Sequence, residues 1–287
     1  MEMKRRIAVL MTVFNRKVKT LACLRDLYAM IRPEDVGMDI YLVDGGSSDG
    51  TVDAVREAFP EVKAEVREGL FWAGGMRRAW NMALESGSEY SHFLLVNDDT
   101  GIFPQALSLL AEAEKAFPGG IYLGATAYPR TGKCSYGGRV LLSPGHEKSR
   151  LLIPDGTLQK ADLGNANIMM VSREAFGRLG ILSVSYTHGI ADYDYTMSAV
   201  RAGVPVILAT GYCGLCQDDH GNPWKPQNAS LKARIDYLYS PKGLAFREYM
   251  HYVRKFFPKD AAGLSIRLWM KTLFPFLWEI KSKIGKE

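Results

Sequence analysis

DIYLVDGGSSDGTVDAVREAF, residues 39–59, changes character twice within a short span. Residues 39–43 form an apolar run too short for a stable helix and read as a buried strand. Asp44-Gly45-Gly46-Ser47-Ser48-Asp49-Gly50 follows, dense in turn formers, and 51–59 has the spacing of a short helix. The same alternation extends outward. Residues 7–13 (IAVLMTV) read as a strand, and 17–31 as a helix that Pro33 closes. A weaker strand at 62–66 and a helix at 74–86 come next, then a strand at 91–96 (SHFLLV) stopped by Asn97-Asp98-Asp99, and a helix at 104–117. Strands separated by helices of this length imply βαβ units, hence an α/β fold with a mostly parallel sheet flanked by helices.

The middle of the chain departs from this pattern. Residues 121–128 read as a strand, but 131–162 are rich in Gly, Ser and Pro, as expected of hairpins and loops over one face of the sheet. Residues 164–171 (GNANIMMV) return as one apolar strand, Ser172 caps a short helix, 191–202 form another helix and 204–208 a last strand. From Gln227 the chain is helical, basic and aromatic. The expected division is a main α/β domain at 1–224 and a helical C-terminal extension at 225–287. There is no internal repeat.

Of the 287 residues, 47% are hydrophobic and 23% charged, values that exclude disordered, collagen-like and low-complexity chains. The longest uncharged run, 202–217, spans 16 positions and includes Gly, Pro, Thr and Gln, so no transmembrane helix is expected. Lys4-Arg5-Arg6 before an apolar run mimics a signal peptide, but no small-x-small cleavage site follows. Four cysteines are too few for a disulfide framework, and the expected location is the cytoplasm. The net charge of +5 is unevenly spread: 225–287 hold 13 Lys and Arg against 5 Asp and Glu, while 1–224 hold 23 against 26. That argues against a nucleic-acid-binding stripe on the main body and for a tail that meets something anionic.

In an open α/β sheet, ligands bind at the carboxyl ends of the strands. Three strand ends carry candidates there: Thr12-Val13-Phe14-Asn15-Arg16, Asp44, and Asn97-Asp98-Asp99. Each alone is ordinary turn chemistry; their convergence on one rim is the signal. No G-x-G-x-x-G follows the first strand, so a Rossmann dinucleotide site is unsupported. Gly45 to Gly50 has P-loop glycine spacing, but Thr51 stands where the phosphate-binding lysine belongs.

Taken in order, these motifs resemble the family 2 glycosyltransferases of the GT-A fold over residues 5–215. The segment from Val43 to Thr51 is similar to the family's VDNGSTDGT; Phe71-Trp72-Ala73-Gly74-Gly75 with Asn81 resembles its N-x-G-x-a loop and helix. Asn97-Asp98-Asp99 falls at the D-x-D position, and His188-Gly189-Ile190-Ala191-Asp192-Tyr193-Asp194 with Arg201 and Gly203 resembles ED-x-D…R…G. The resemblance implies an inverting transferase that uses a nucleotide-diphospho-sugar donor. Thr12, Phe14, Asn15, Arg16, Asp44, Trp72, Gly74, Asn97 and Asp98 would then bind the donor, and Asp99 would hold Mg²⁺ or Mn²⁺. His220 is a second candidate at the metal or diphosphate. Asn97 stands where the family more often has Asp, so it brings a hydrogen bond but no charge.

A departing diphosphate needs its developing charge neutralised, and a hard cation on one or two carboxylates does that. Inverting transfer also needs a general base within reach of the acceptor hydroxyl. Asp192 matches that position, with Asp194 as understudy; a helix-capping role for Asp192 is compatible with it. Ala191 replaces the family's acidic neighbour, which is expected to leave the base somewhat more acidic. Cys213-x2-Cys216-x3-His220 invites a zinc site, but four ligands are needed and Asp218 or Asp219 would have to complete it; buried thiols beside a strand are the plainer account.

In the tail, Arg267, Lys271, Pro275, Glu279 and Lys283 recur every four positions across 264–284, among almost wholly apolar neighbours. Such a helix would pack on the catalytic domain, form a homodimer, or lie in a membrane interface with Trp269 and Trp278 as anchors. The partners implied are the donor and a glycan or lipid-linked saccharide acceptor in surface-polysaccharide synthesis. Two alternatives stay open: a nucleotidyltransferase making sugar nucleotides, for which a Gly-rich basic loop after the first strand is missing, and a non-catalytic sugar-nucleotide-binding protein at a membrane surface.

Overall fold

A computed structural model describes residues 5–217 and 229–276. The elements run β1 (Arg5–Val13), α1 (Lys17–Ala29), β2 (Val36–Asp44), α2 (Thr51–Ala58), β3 (Lys63–Val66), α3 (Trp72–Glu85), β4 (His92–Asn97), β5 (Gly101–Ile102), α4 (Ala106–Ala116) and β6 (Ile121–Ala127). The short strands β7 (Cys134–Tyr136), β8 (Gly138–Leu141), β9 (Ser149–Leu151), β10 (Gln159–Lys160) and β11 (Leu163–Gly164) follow. The remainder is β12 (Ile168–Ser172), α5 (Arg173–Leu179), α6 (Ala191–Arg201), β13 (Val206–Leu215), α7 (Leu231–Tyr239), α8 (Phe246–Phe256) and α9 (Ala261–Leu273).

The main sheet has the order β10-β13-β6-β12-β4-β1-β2-β3, with β5 on β13 and β7 on β6; β11-β8-β9 form a second, small sheet. The β4-β1-β2-β3 half and the β13–β6 pair are parallel, and β12 runs antiparallel between β4 and β6. The expected mostly parallel α/β sheet is therefore present.

Its central strands β1, β4, β6 and β12 are mostly apolar runs because both faces are covered. In β1, Ala8 and Leu10 face one core layer while Ile7, Val9, Met11 and Val13 face the other; Tyr41 and Val43 alternate with Ile40 and Leu42 in β2. On the first face Trp80 is fully buried among Phe93, Phe176 and Tyr195, with ring centroids 5.2–5.9 Å away. Truncating such a side chain to Ala costs about 3–5 kcal/mol.

Register places the site. Val13 lies opposite Asp44 and Thr12 opposite Asn97, so β1, β2 and β4 deliver their polar ends to one rim.

Three sequence expectations need correction. The apolar stretch at 164–171 is not one strand: Leu163–Gly164 pairs with β8, the chain turns at Asn165-Ala166-Asn167, and β12 begins at Ile168. The asparagine side chains there turn to distant partners, Asn165 Nδ2 to the Tyr193 hydroxyl at 3.4 Å and Asn167 Nδ2 to Cys216 Sγ at 3.4 Å, and that is where the run breaks. The helix expected from residue 74 begins at Trp72, glycines included. Gly75 is required there, because a Cβ would lie 2.0 Å from Thr12 Oγ1. The last strand runs to Leu215 rather than 208, its register shifting twice beside β6.

The helical extension packs on the body. Met250, Tyr252, Val253, Phe256 and Phe257 share a buried cluster with Ala73, Tyr186, Ala191 and Met197. In α9, Leu264 and Leu268 are buried and Trp269 meets Tyr239 and Phe246 edge-on, whereas Ile266, Met270, Leu273 and Phe274 are exposed. No helix among the described residues is long and apolar enough to cross a membrane. Trp278, Glu279 and Lys283, part of the proposed stripe, lie outside the described residues, as does His220.

Candidate active site

A cavity of about 250 Å³ opens at the carboxyl rim between β1, β4 and the start of α6. Arg16, Trp72, Asn97, Asp98, Asp99 and Asp192 line it, bringing six of the expected residues together. His188, Asn165, Asn167, Tyr136, Tyr193, Cys216 and Gln217 complete the lining.

Arg16, just before α1, places Nη1 2.5 Å from Asp99 Oδ2 and 3.3 Å from Asp98 Oδ1. Thr20, one turn into α1, donates to Asp98 Oδ2 at 3.2 Å. Burial pushes the Asp98 carboxyl up to about 7; Arg16 pulls it down and the like charge of Asp99 raises it further. Asn97 is oriented by Trp72, whose indole Nε1 donates to Asn97 Oδ1 at 2.8 Å. Trp72 begins α3, so that helix sets the aim of the amide.

Asp192 stands in the first turn of α6. Its Oδ2 accepts from the Ala166 N–H at 3.2 Å and its Oδ1 from the Tyr193 N–H at 2.8 Å. Burial nonetheless raises its pKa to about 6, with those amides opposing the shift. The expectation of a more acidic group, drawn from Ala191, fails because desolvation outweighs a missing neighbour charge. The helix cap itself is Ile190, with φ 71°. A β-branched residue in the left-handed region costs on the order of 1–3 kcal/mol, and the strain sits where His188 to Ile190 turn into the cavity.

Asp194 has a different fate. It is buried, bonded by Lys255 Nζ at 2.7 and 2.9 Å and by the Tyr186 hydroxyl at 2.8 Å. Its lone pairs are committed to α8, away from the cavity. Arg201 likewise ties α6 to α8, donating to the Lys255 and Phe256 carbonyls and stacking on the Phe256 ring at 4.5 Å.

The remaining expected residues do not line the cavity. Asp44 is fully buried; Oδ1 accepts from the Gly46 and Ser47 N–H groups at 2.7 and 2.5 Å, while Oδ2 has no partner. An orphaned buried acceptor is costly unless a ligand donor reaches it. Asn15 (φ 52°) pins this turn to β1: its N–H donates to Ser47 Oγ at 2.7 Å and its Oδ1 accepts from the Ser48 N–H at 2.8 Å. Phe14 is exposed, with Lys242 Nζ of the extension 5.2 Å from its ring centroid. Thr12 abuts Gly75, and a Cβ at Gly74 would meet Leu70 at 3.2 Å.

The donor set suits a hard divalent ion. Asp98 and Asp99 offer carboxylate oxygens beside a cavity with room for water and ligand oxygens. Among the described residues no group of three or more His, Cys, Asp or Glu could hold a metal. From the described residues an ion here would draw the carboxylates of Asp98 and Asp99. The zinc reading fails for its described members: Cys213 lies in the sheet core, whereas Cys216 Sγ is 3.9 Å from Asp99 Oδ1. Sequence reasoning passed over Asn165 and Asn167, hidden in an apolar run, and weighed Cys216 as a zinc ligand or a buried thiol without placing it at the cavity; two asparagines flanking one alanine were the available signal.

No protein-family model and no curated protein matches this chain. Solved structures do. One is the mannosyltransferase PcManGT from Pyrobaculum calidifontis in complex with GDP-Man and Mn²⁺, 17% identical, with a TM-score of 0.52 over 91% of this chain and 74% of that one. Another is GalNAc-T7 with UDP, GalNAc and Mn²⁺, 11% identical, with a TM-score of 0.57 over 83% of this chain and 50% of that one. The chain spans about half the length of the latter. At such identities the likeness is one of architecture: the chain has the GT-A glycosyltransferase fold.

Proposed function

We propose that this chain is an inverting glycosyltransferase that moves a sugar from a nucleotide-diphospho-sugar to a hydroxyl of a glycan or lipid-linked saccharide, in surface-polysaccharide synthesis at the cytoplasmic face of a membrane. One observation carries the reading: a desolvated carboxylate, Asp192, faces the same cavity as Asp98, Asp99 and Arg16. Proton acceptor and diphosphate-neutralising groups are thus within one ligand's reach. Both neighbours in fold carry a nucleotide or nucleotide sugar with Mn²⁺, which supports this choice of donor and cofactor.

In this scheme Asp192 takes the acceptor's proton as its oxygen attacks the anomeric carbon. Its pKa of about 6 suits the task, leaving it ionised at neutral pH yet basic enough to accept a proton. Asp194, already ion-paired, is no longer a competitor for that role. Asp99, with Asp98 beside it, holds Mg²⁺ or Mn²⁺, which when bound supplies Lewis-acid stabilisation of the departing diphosphate. Arg16 adds a fixed positive charge at the same place. Asn97 hydrogen-bonds the ribose, Trp72 orients it, and the Asp44 turn shapes the nucleobase end beside Phe14.

A thermal-shift screen of UDP-, GDP-, dTDP- and CMP-sugars, with and without Mn²⁺ or Mg²⁺, tests the proposal. Ligand at ~100 times its dissociation constant adds about 2.7 kcal/mol. A metal-dependent shift with one base class is the expected result; a flat response to every donor removes the support.

A further inference from the structure

A second concavity, about 810 Å³, opens between the β8–β9 hairpin and the start of α9. Its charge is opposite to that of the catalytic cavity. Arg139 and Lys148 come from the hairpin, Lys259 and Arg267 from the extension, and Glu147 and Asp260 are the carboxylates among its lining. Asp260 is already engaged, holding His146 Nδ1 and the Glu147 N–H, each at 2.8 Å, while burial and then the nearby Glu147 raise the pKa of the Tyr249 phenol. The cations differ. Lys148 and Lys259 have no side-chain hydrogen bond or ion pair among the described residues. Arg139 is held in place by Ser149, donating from Nε to Oγ at 3.0 Å and from Nη2 to the carbonyl at 3.3 Å.

One apolar cluster reaches from the groove to the catalytic cavity. Leu141, Tyr193 and Tyr249 pack with Leu264 in one cluster, and Tyr193 also lines the catalytic cavity. Its phenol lies in the field of Asp192 and also in that of Arg139 and Glu147. Tyr193 therefore stands near both Asp192 and the groove's Arg139 and Glu147.

We propose that this groove binds the phosphate of a phosphorylated acceptor, whose free hydroxyl then reaches Asp192 past Tyr193. The second half of that statement rests on the transferase reading. Several cations around one open concavity favour a ligand with two or more negative charges, and arginine forks match phosphate oxygens in pairs. A neutral glycan would leave those cations to water.

Pyrophosphate titrated calorimetrically into the full chain, with and without Mn²⁺, tests this. The expected result is a metal-independent site weakened at least tenfold in Lys259→Ala/Arg267→Ala. Lys148→Glu, on the opposite rim, gives the same loss, so misfolding of one variant decides nothing; thermal melting checks each fold. A second, Mn²⁺-dependent event, lost in Asp99→Asn and kept in the double variant, is the donor site. Unchanged metal-free affinity in the rim variants overturns the proposal. So does binding to phosphatidylglycerol vesicles through Lys259 and Arg267 with none to soluble pyrophosphate, which gives the groove to a membrane surface. If metal-free binding behaves as expected while UDP, GDP and their sugars never bind, the transferase reading fails and the oxyanion site stands.

Discussion

The candidate active-site cavity and the basic groove are both built from charged side chains, but their charges meet different surroundings. In the cavity, Asp98 and Asp192 are taken out of water, and their carboxyls rise to about 7 and about 6. In the groove, Lys148 and Lys259 stand at an exposed rim. Desolvated charge is chemically poised because its protonation state is adjustable; solvated charge attracts and orients without changing state. On the proposed reading, enclosure more than residue type separates reaction from recognition.

The sharpest way to break the comparison is Asp192→Asn. Loss of a general base lowers kcat by about 10³-fold while the dissociation constant of the donor nucleotide stays the same; wild-type-like turnover would return Asp192 to a purely structural role. Lys255→Ala tests enclosure without chemistry. It strands buried Asp194 with Tyr186 alone and should cost about 2 kcal/mol in urea unfolding, reduced from a fully buried pair because Lys255 is partly exposed. Asp99→Asn should weaken Mn²⁺-dependent nucleotide binding about tenfold by calorimetry, roughly 1.4 kcal/mol.

The pH profile of kcat/KM should rise about tenfold from pH 5 to a plateau above the Asp192 pKa of about 6. Stability moves the other way. A carboxyl whose folded pKa is raised binds more protons folded than unfolded, so this contribution is present at low pH and is lost as pH climbs from ~4 through about 6. Asp192→Asn should remove that slope in unfolding curves. The smallest effect belongs to the groove: Lys148→Ala should change unfolding free energy by less than about 0.5 kcal/mol.

Legibility in the sequence follows the same divide between buried and exposed. β1, β2 and β4 were readable because burial on both faces writes a continuous apolar run, and each run ends in the polar residues that reach the rim. Arg16, Trp72, Asn97, Asp98, Asp99 and Asp192 accordingly meet in one cavity. Contacts distant in sequence were hidden. Nothing local says that Thr12 is filled by Gly75, that Asp194 belongs to Lys255, or that Ile190 takes a left-handed turn. The pKa of Asp192 was misjudged for that reason: it depends on the walls around it more than on its neighbours in sequence.

The cluster joining α8 to α3 and α6 also bears on where the chain can be cut. Ending it at residue 224 would strip Met250, Tyr252, Val253 and Phe256 from Ala73, Tyr186 and Ala191, leaving apolar surface beside Trp72 and Asp192. The expectation from that packing is that the composition shift near Lys225 does not coincide with a boundary of cooperativity. Extension and catalytic rim should exchange their amide hydrogens as one unit, and a protease that severs the link between them should release neither half.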